Sequence, residues 1–368
     1  MSNDLKYTFL HNYHKDNGAK FLTFSNYSMP INYNLGIIKE HLHVRSNAGI
    51  FDVSHMGQIL ITLSDINIEA LEKFIPLNFN NLKFNKSYYT FMLNNMGGII
   101  DDLIISKILY EESQYFFIVY NAGRKIQDEE IFKDILSDYK FLKNNSLIAI
   151  QGPKAKQVLN FLKITDSLFF MESKVVDYLN ENIIVNRSGY TGEDGFEISI
   201  PNSIVLNFVK LIMNNENSKL CGFGSRDSLR LEAGLNLYGQ ELSEDITPID
   251  ANLNWSINID RLKDKKLNGQ NFLLEQFNKG TKIKKIGLQA ISKIILRAKM
   301  KLIDKNNNEI GIITSGGYSP TLNSSIGIGY VNSLIKNNDK IFSLIRGNLE
   351  ELKITNLPFI KHNYKKGK

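Results

Sequence analysis

The sequence predicts an α+β fold, with a mixed helix-and-strand region over residues 1–280 and an all-β domain over 281–368. In the first region, runs of period two alternate with runs of helical period. From about residue 283 the helical period disappears. KIGLQAI, AKMKLID, EIGIITS, SIGIGYVN, IFSLIRG and ELKITN then follow as short β-type runs divided by turns such as KNNN, the pattern of a compact sandwich or barrel. A length of 368 residues suits two or three domains, and 22 Phe and 16 Tyr can fill large cores.

Along the chain, 58–63 (QILITL) reads as a strand. Ser64 or Asp65 caps the helix that follows, with Ile68, Leu71, Phe74 and Ile75 as its apolar stripe and Pro76 as its stop. Residues 87–93 and 99–109 form two strands joined by the turn Asn94-Asn95-Met96-Gly97-Gly98, a hairpin signal. A third strand over 115–120 leads to a helix over 124–136. Pro153 starts a short helix over 154–162. Strands near 182–187 and 196–200 precede a helix over 203–214, and another helix spans 225–233.

Composition narrows the function. The single cysteine, Cys221, excludes an intramolecular disulfide and a cysteine zinc site. The six histidines are scattered without metal-ligand spacing. No run of 18 apolar residues and no leader pattern is present, so the expected setting is the cytoplasm, with no membrane contact. The net charge of +6 is concentrated over 261–301, where twelve Lys/Arg face only Asp264 and Glu275. That stretch reads as a solvated face or as a surface for an acidic partner or nucleic acid.

Several segments carry polar groups near turns. GFGSRD (222–227) lacks the third glycine of a dinucleotide fingerprint, and Ser54-His55 suggests no acyl-transfer triad. Asp101 and Asp102 follow the Gly-Gly turn; neighbours on a strand point to opposite faces, so only one enters any one pocket. In NRSGYTGEDGFEISI (186–200), Phe196, Ile198 and Ile200 share a core face and Glu197 takes the other, with Tyr190 across the glycine turn. Arg226 and Arg230 share a helix face; a cation in a first helical turn is disfavoured by the dipole, which points to a specific partner for Arg226. Trp255, the sole tryptophan, reads as core or as a stacking surface for a flat ligand.

Seven co-linear segments together resemble the glycine cleavage T-protein family, the tetrahydrofolate-dependent aminomethyltransferases. They are AGIFDVSHM (48–56), GGIIDDLII (97–105), YNAGRKIQDEEI (120–131), IQGPKA (150–155), SGYTGEDGFEI (188–198), GSRDSLRLEAGLNLYGQEL (224–242) and SGGYSPTLNSSIGIGYV (315–331). The resemblance implies a clover leaf of three domains around a folate channel, two intertwined α+β domains plus a C-terminal barrel of jelly-roll type. It implies transfer of the methylene of an aminomethyl-lipoyl H protein to tetrahydrofolate, with ammonia, 5,10-methylenetetrahydrofolate and dihydrolipoyl H protein as products. Tetrahydrofolate is then a co-substrate, the lipoyl group comes with H protein, no metal is needed, and a monomer is expected. On the family's motifs, Asp101 matches the catalytic acid, Glu197 the pterin-binding glutamate, and Arg226 a ligand-contacting arginine for the pterin carbonyl or the folate tail. Met56, Tyr88, Val119, Asn121, Tyr190 and Trp255 match positions lining the folate channel. The glycines of 189–195 are then expected to let the flat ligand approach the backbone, with Glu193 and Asp194 as turn polarity.

Leu235 stands where some relatives have an aromatic, and position 88 varies between Tyr and Leu among them. The alternative within the same fold is a folate-dependent demethylase acting on a small N- or S-methyl donor. A non-enzymatic folate-binding protein would carry a Lys-Gly-Cys-Tyr-x-Gly-Gln signature, which is absent. Nucleic-acid binding is the remaining alternative for the basic stretch, but the resemblance favours docking of H protein there, with Lys284 and Lys285 as contacts.

Overall fold

In the computed structural model, which describes residues 5–163, 165–263 and 266–367, the chain builds a 3-stranded sheet, an 11-stranded sheet and a closed barrel. The small sheet holds β1 (Lys6–Tyr7), β2 (Lys20–Phe24) and β3 (Tyr27–Asn32), with α1 (His11–Asp16) before β2. Helix α2 (Ile37–Ser46) leads to β4 (Ala48–Asp52), β5 (Gly57–Thr62) and α3 (Asp65–Glu72). Three long strands follow, β6 (Lys86–Leu93), β7 (Ile99–Tyr110) and β8 (Ser113–Tyr120), and then α4 (Lys125–Ile135). Next come β9 (Tyr139–Phe141), β10 (Asn145–Gln151), α5 (Ala155–Val158), β11 (Glu172–Tyr178), β12 (Glu181–Arg187) and β13 (Gly195–Pro201). Helix α6 (Asn202–Met213), β14 (Ser218–Leu220), α7 (Phe223–Glu232) and α8 (Gln270–Lys279) precede the barrel. Its strands are β15 (Ile283–Ala290), β16 (Lys301–Ile303), β17 (Glu309–Ser319), β18 (Ser324–Asn332), β19 (Ile341–Ile345) and β20 (Asn348–Thr355).

The large sheet has the order β14-β4-β10-β13-β12-β11-β6-β7-β8-β5-β9. Its halves are interleaved in sequence. β4 lies beside β10, whereas β5, only a few residues further on, lies at the other end beside β8. The six β-type runs of the C-terminal region become the six barrel strands, closed in the order β15-β18-β17-β16-β19-β20. The expected helix over 154–162 is broken: α5 stops at Val158, and a 3-10 turn over Asn160–Leu162 ends at Lys163, which has φ +54°.

Local chemistry fixes the elements around the site. Ser64 caps α3 by accepting from the Asn67 N–H. Asn94 Oδ1 accepts from the Met96 and Gly98 N–H groups at 2.9 Å each, and Gly97 has φ +78°, so the β6–β7 turn is tight and fixes the register of both strands. One face of these strands, with Leu103, Ile105, Ile118 and Tyr120, packs on Phe132 of α4. The opposite face, with Leu60, Val119, Ala149 and Ile184, packs on Leu229 of α7. Burying side chains of this size contributes about 1.5–3 kcal/mol each. The neighbouring Leu231 packs on Ile326 and Ile328 of β18, so α7 is wedged between the sheet and the barrel.

Candidate active site

The β6–β7 pairing decides which side chains can meet. Ile104 pairs with Val119 and with Tyr89, and residues two apart on a strand share a face. Asp102, Ile104, Tyr89 and Val119 therefore lie on the α7 side. Glu197 joins them, because it pairs with Ala149 of the same core cluster, while Phe196, Ile198 and Ile200 fill the opposite core as expected.

Asp101 does not reach this face. It is fully buried on the α4 side, and its carboxylate accepts from the Asn121 N–H and Nδ2, both at 2.9 Å. The carboxyl on the α7 side is that of Asp102, whose Oδ1 accepts from the same Asn121 amide at 2.7 Å. The two acids lie on opposite faces, but both are tied to Asn121. Burial, followed by the nearby Asp101 charge, pushes the Asp102 carboxyl up to about 7.

The same one-residue shift applies to Tyr88. It pairs with Ile105 and packs on the α4-side core, and its hydroxyl accepts from the Lys83 N–H at 3.0 Å. Tyr89 is the tyrosine beside Asp102, and its hydroxyl is held well above its usual range by burial and by that carboxylate. Trp255 stacks on Tyr89 with centroids 5.8 Å apart and planes at 23°. Since Trp255 is 70% exposed, it forms a rim over Tyr89 rather than an enclosed wall.

Helix α7 supplies the cation. Arg226 is buried, its guanidinium lies 4.9 Å over the Tyr190 ring, and its Nη1 has no hydrogen-bond partner among the described residues. Burial draws its pKa down, while the Glu197 and Tyr190 charges oppose the shift. Glu197 accepts from the Ser188 hydroxyl at 2.8 Å through Oε2, leaving Oε1 without a partner among the described residues. Tyr190 donates to the Asn236 carbonyl, which anchors the ring below Arg226. His55 lies near Arg226 in a cage of Phe24, Tyr27 and Phe223, and burial and the arginine hold it neutral, down to about 3. One turn along, Arg230 is saturated: it donates to Asp227, Glu241, the Leu235 carbonyl and Ser315 of the barrel.

The glycine loop does not open onto a ligand. A Cβ on Gly189 would lie 1.8 Å from Gln151 Oε1, one on Gly195 2.4 Å from Gln151 Nε2, and one on Gly192, at φ +78°, 2.9 Å from the Ala233 Cβ. The glycines allow close packing on Gln151 and α7. Nor are the neighbouring acids simple turn polarity. Glu193 is buried and pairs with Arg45 at 2.8 Å, and Asp194 accepts from Arg187 Nε at 2.9 Å. Only Glu197 of the three acids is left with a free oxygen on the α7 side.

Sequence reasoning put Lys285 among the docking contacts and missed Asn236. Lys285 is buried, not solvated; its ammonium donates to Asn236 Oδ1 at 2.6 Å, and desolvation draws it down to about 8. It therefore cannot serve as a docking contact. The only sequence signal is the alternation of β15, which sets Lys285 on a different face from Lys284. Much of the rest of the basic stretch is locally paired: Arg261 with Glu72, Lys263 with Asp260, Lys279 with Glu275 and Lys301 with Glu309. Asp264 lies outside the described residues.

Val119 lies on the Asp102 face, and Asn121 is bonded to Asp102. Met56 packs against the same core and lines a pocket of about 300 Å3 with Tyr27, Ser54, Gln58 and Lys125. That pocket contains none of Asp102, Glu197 and Arg226. Among the described residues, no group of three or more His, Cys, Asp or Glu is placed to hold a metal ion.

A buried guanidinium with an unpartnered Nη1, a carboxylate with a free oxygen, a near-neutral carboxyl and stacked aromatics on one side of the sheet are features of an enzyme. Comparison with known proteins places it further. Residues 10–261 match the GCVT N-terminal domain, and 284–361 match the glycine cleavage T-protein C-terminal barrel domain. The chain is 37% identical to a mitochondrial aminomethyltransferase of Dictyostelium discoideum over 99% of its length and 95% of that protein. It is 36% identical to an aminomethyltransferase of Thermoanaerobacter pseudethanolicus over 99% of its length and all (100%) of that protein. The crystal structure of the glycine cleavage system aminomethyltransferase T from Bartonella henselae superposes with a TM-score of 0.92 at 35% identity, covering 99% of this chain and 100% of that one. The chain belongs to the glycine cleavage T-protein family.

Proposed function

We propose that this chain is the aminomethyltransferase of a glycine cleavage system. It takes the methylene carbon of the aminomethyl group carried on the lipoyl arm of H protein and delivers it to tetrahydrofolate. Ammonia, 5,10-methylenetetrahydrofolate and the dihydrolipoyl arm are the products. The observation that carries this reading is Arg226, a buried cation whose Nη1 lacks a partner, set between Tyr190 and the half-satisfied Glu197. A buried charge left this way is costly unless a ligand completes it.

The residues divide the work. Glu197 accepts from the pterin N3–H and 2-amino group, two adjacent donors that suit one carboxylate. Arg226 faces a pterin carbonyl or the folate tail, Tyr190 and Val119 supply flat and apolar wall, and Trp255 with Tyr89 closes the rim. Folate supplies N5 as the nucleophile for the one-carbon unit. Asp102, in place of Asp101, takes the N5 proton as the new C–N bond forms, and Asn121 and Tyr89 orient its carboxyl. A carboxyl near neutrality is suited to exchange that proton. Met56 borders the channel, and Tyr88 has no part in it. The cytoplasm and a monomeric state remain the settings we propose.

The test is direct assay. The protein is mixed with tetrahydrofolate and aminomethyl-loaded H protein, and ammonia and methylenetetrahydrofolate are measured. Equal yields of both products support the function. No product with H protein, but turnover of a small N- or S-methyl donor, would replace it with the demethylase reading.

A further inference from the structure

Behind Asp102, on the far side of the sheet, two buried acids meet with little cationic support. Asp101 on β7 and Asp128 in the first turn of α4 are both fully buried, and their carboxyls act on each other. Both Asp101 oxygens already accept from Asn121, whereas neither Asp128 oxygen receives a donor from any described residue. Two interacting carboxylates in a buried site cannot both ionise, so the pair holds one proton. The one with no donors keeps it.

We propose that Asp128 is a positioning residue for the reaction: as a neutral acid it donates to Asp101, and the carboxylate so held fixes Asn121 against Asp102. The inference rests on the reading of Asp102 given above. The chain of contacts runs from Asp128 to Asp101, to the Asn121 Nδ2 at 2.9 Å, and from that same nitrogen to Asp102 Oδ1 at 2.7 Å. The groups that act on the pair favour the shared proton. Arg124, just before α4, pulls the Asp128 carboxyl down, but one of its arms is committed to Glu244 at 2.7 Å. The Asp102 charge on β7 acts against it, and the Tyr120 and Tyr238 hydroxyls are engaged elsewhere, donating to Glu129 and to the Ile99 carbonyl at 3.1 Å. Burial and the Asp101 charge outweigh Arg124 and raise the Asp128 carboxyl far above its usual range. The negative charge that remains on Asp101 in turn helps to raise Asp102.

Asp128→Asn keeps a neutral donor, and Asp128→Ala removes it. Infrared spectroscopy of the wild type at a pH above the Asp102 titration, where that carboxyl is ionised, should show the carbonyl band of a buried neutral acid, and Asp128→Asn should lose it. Asp128→Asn should keep kcat within about twofold, whereas Asp128→Ala should lower it about tenfold, the loss of one buried hydrogen bond. KM for tetrahydrofolate should stay constant. In Asp128→Ala the acid limb of the kcat profile should move to lower pH, because Asp101 without its donor carries less charge against Asp102. A band that persists in Asp128→Asn, Asn as damaging as Ala, or an unaltered rate and profile in Asp128→Ala would each overturn the proposal. Full activity of Asp102→Asn would instead defeat the proposed role of Asp102, and the infrared band would still decide the pair.

Discussion

The two faces of the β6–β7 hairpin carry the same residue types, a tyrosine and an aspartate each, yet they differ in what surrounds them. On the α4 side, Asp101 is sealed between Asn121 and Asp128, and Tyr88 lies against an apolar core. On the α7 side, Asp102 lies with Tyr89 on the face that also carries Glu197 and that α7, with its unpaired Arg226, covers. The difference shows that residue type does not make a site. A carboxyl becomes reactive where its neighbours leave a hydrogen-bonding position for a ligand, and structural where the protein fills every one.

The sharpest way to break the comparison is Asp102→Asn. It should lower kcat by about a hundredfold to ten-thousandfold, the range of a lost acid–base group, and leave KM for tetrahydrofolate nearly unchanged. A variant with near-wild-type turnover in the ammonia assay would place the chemistry elsewhere. In the wild type, kcat should fall as pH drops through about 7 and Asp102 protonates. The stability effect has a definite sign. Because the folded-state carboxyl is raised above its unfolded value near 3.9, its contribution is present below that value and is lost as pH rises through about 7.

Helix α7 repeats the contrast with its two arginines. Arg230→Ala removes a cation bonded to Glu241 and Ser315 and strands a buried carboxylate, so denaturant unfolding should show a loss of about 3–5 kcal/mol. Arg226→Leu removes a cation whose Nη1 has no partner, so stability should hold or rise, while KM for tetrahydrofolate should increase about tenfold or more. Equal destabilisation by both would show that Arg226 is a structural residue. The smallest effects fall on the tyrosines. Tyr89→Phe should lower kcat by several-fold through loss of its contact with Asp102, about 1 kcal/mol, and Tyr88→Phe should leave kcat unaltered.

The sequence carried the architecture because the architecture rests on local signals. The six barrel strands are short β runs bounded by turns, and the β6–β7 hairpin is marked by Asn94 and Gly97. Glu197 was legible because Phe196, Ile198 and Ile200 alternate cleanly around it. The choice between Asp101 and Asp102, or Tyr88 and Tyr89, was not, because identical neighbours leave the period-two pattern symmetric and a slip of one residue reverses the faces. Long-range pairs were equally hidden. Nothing near Glu193 in the sequence announces Arg45, and nothing near Lys285 announces Asn236. The N-terminal elements α1, α2 and β1–β4 were also passed over, since short or half-exposed segments carry little periodicity.

The most direct measurement is a crystal structure of the protein with tetrahydrofolate. The account predicts the pterin on the α7 side of the sheet, its 2-amino edge on Glu197, Arg226 within hydrogen-bond reach, and N5 beside Asp102 and Tyr89. A folate bound on the α4 side, against Asp101 and Tyr88, or one that leaves Glu197 and Arg226 untouched, would contradict it.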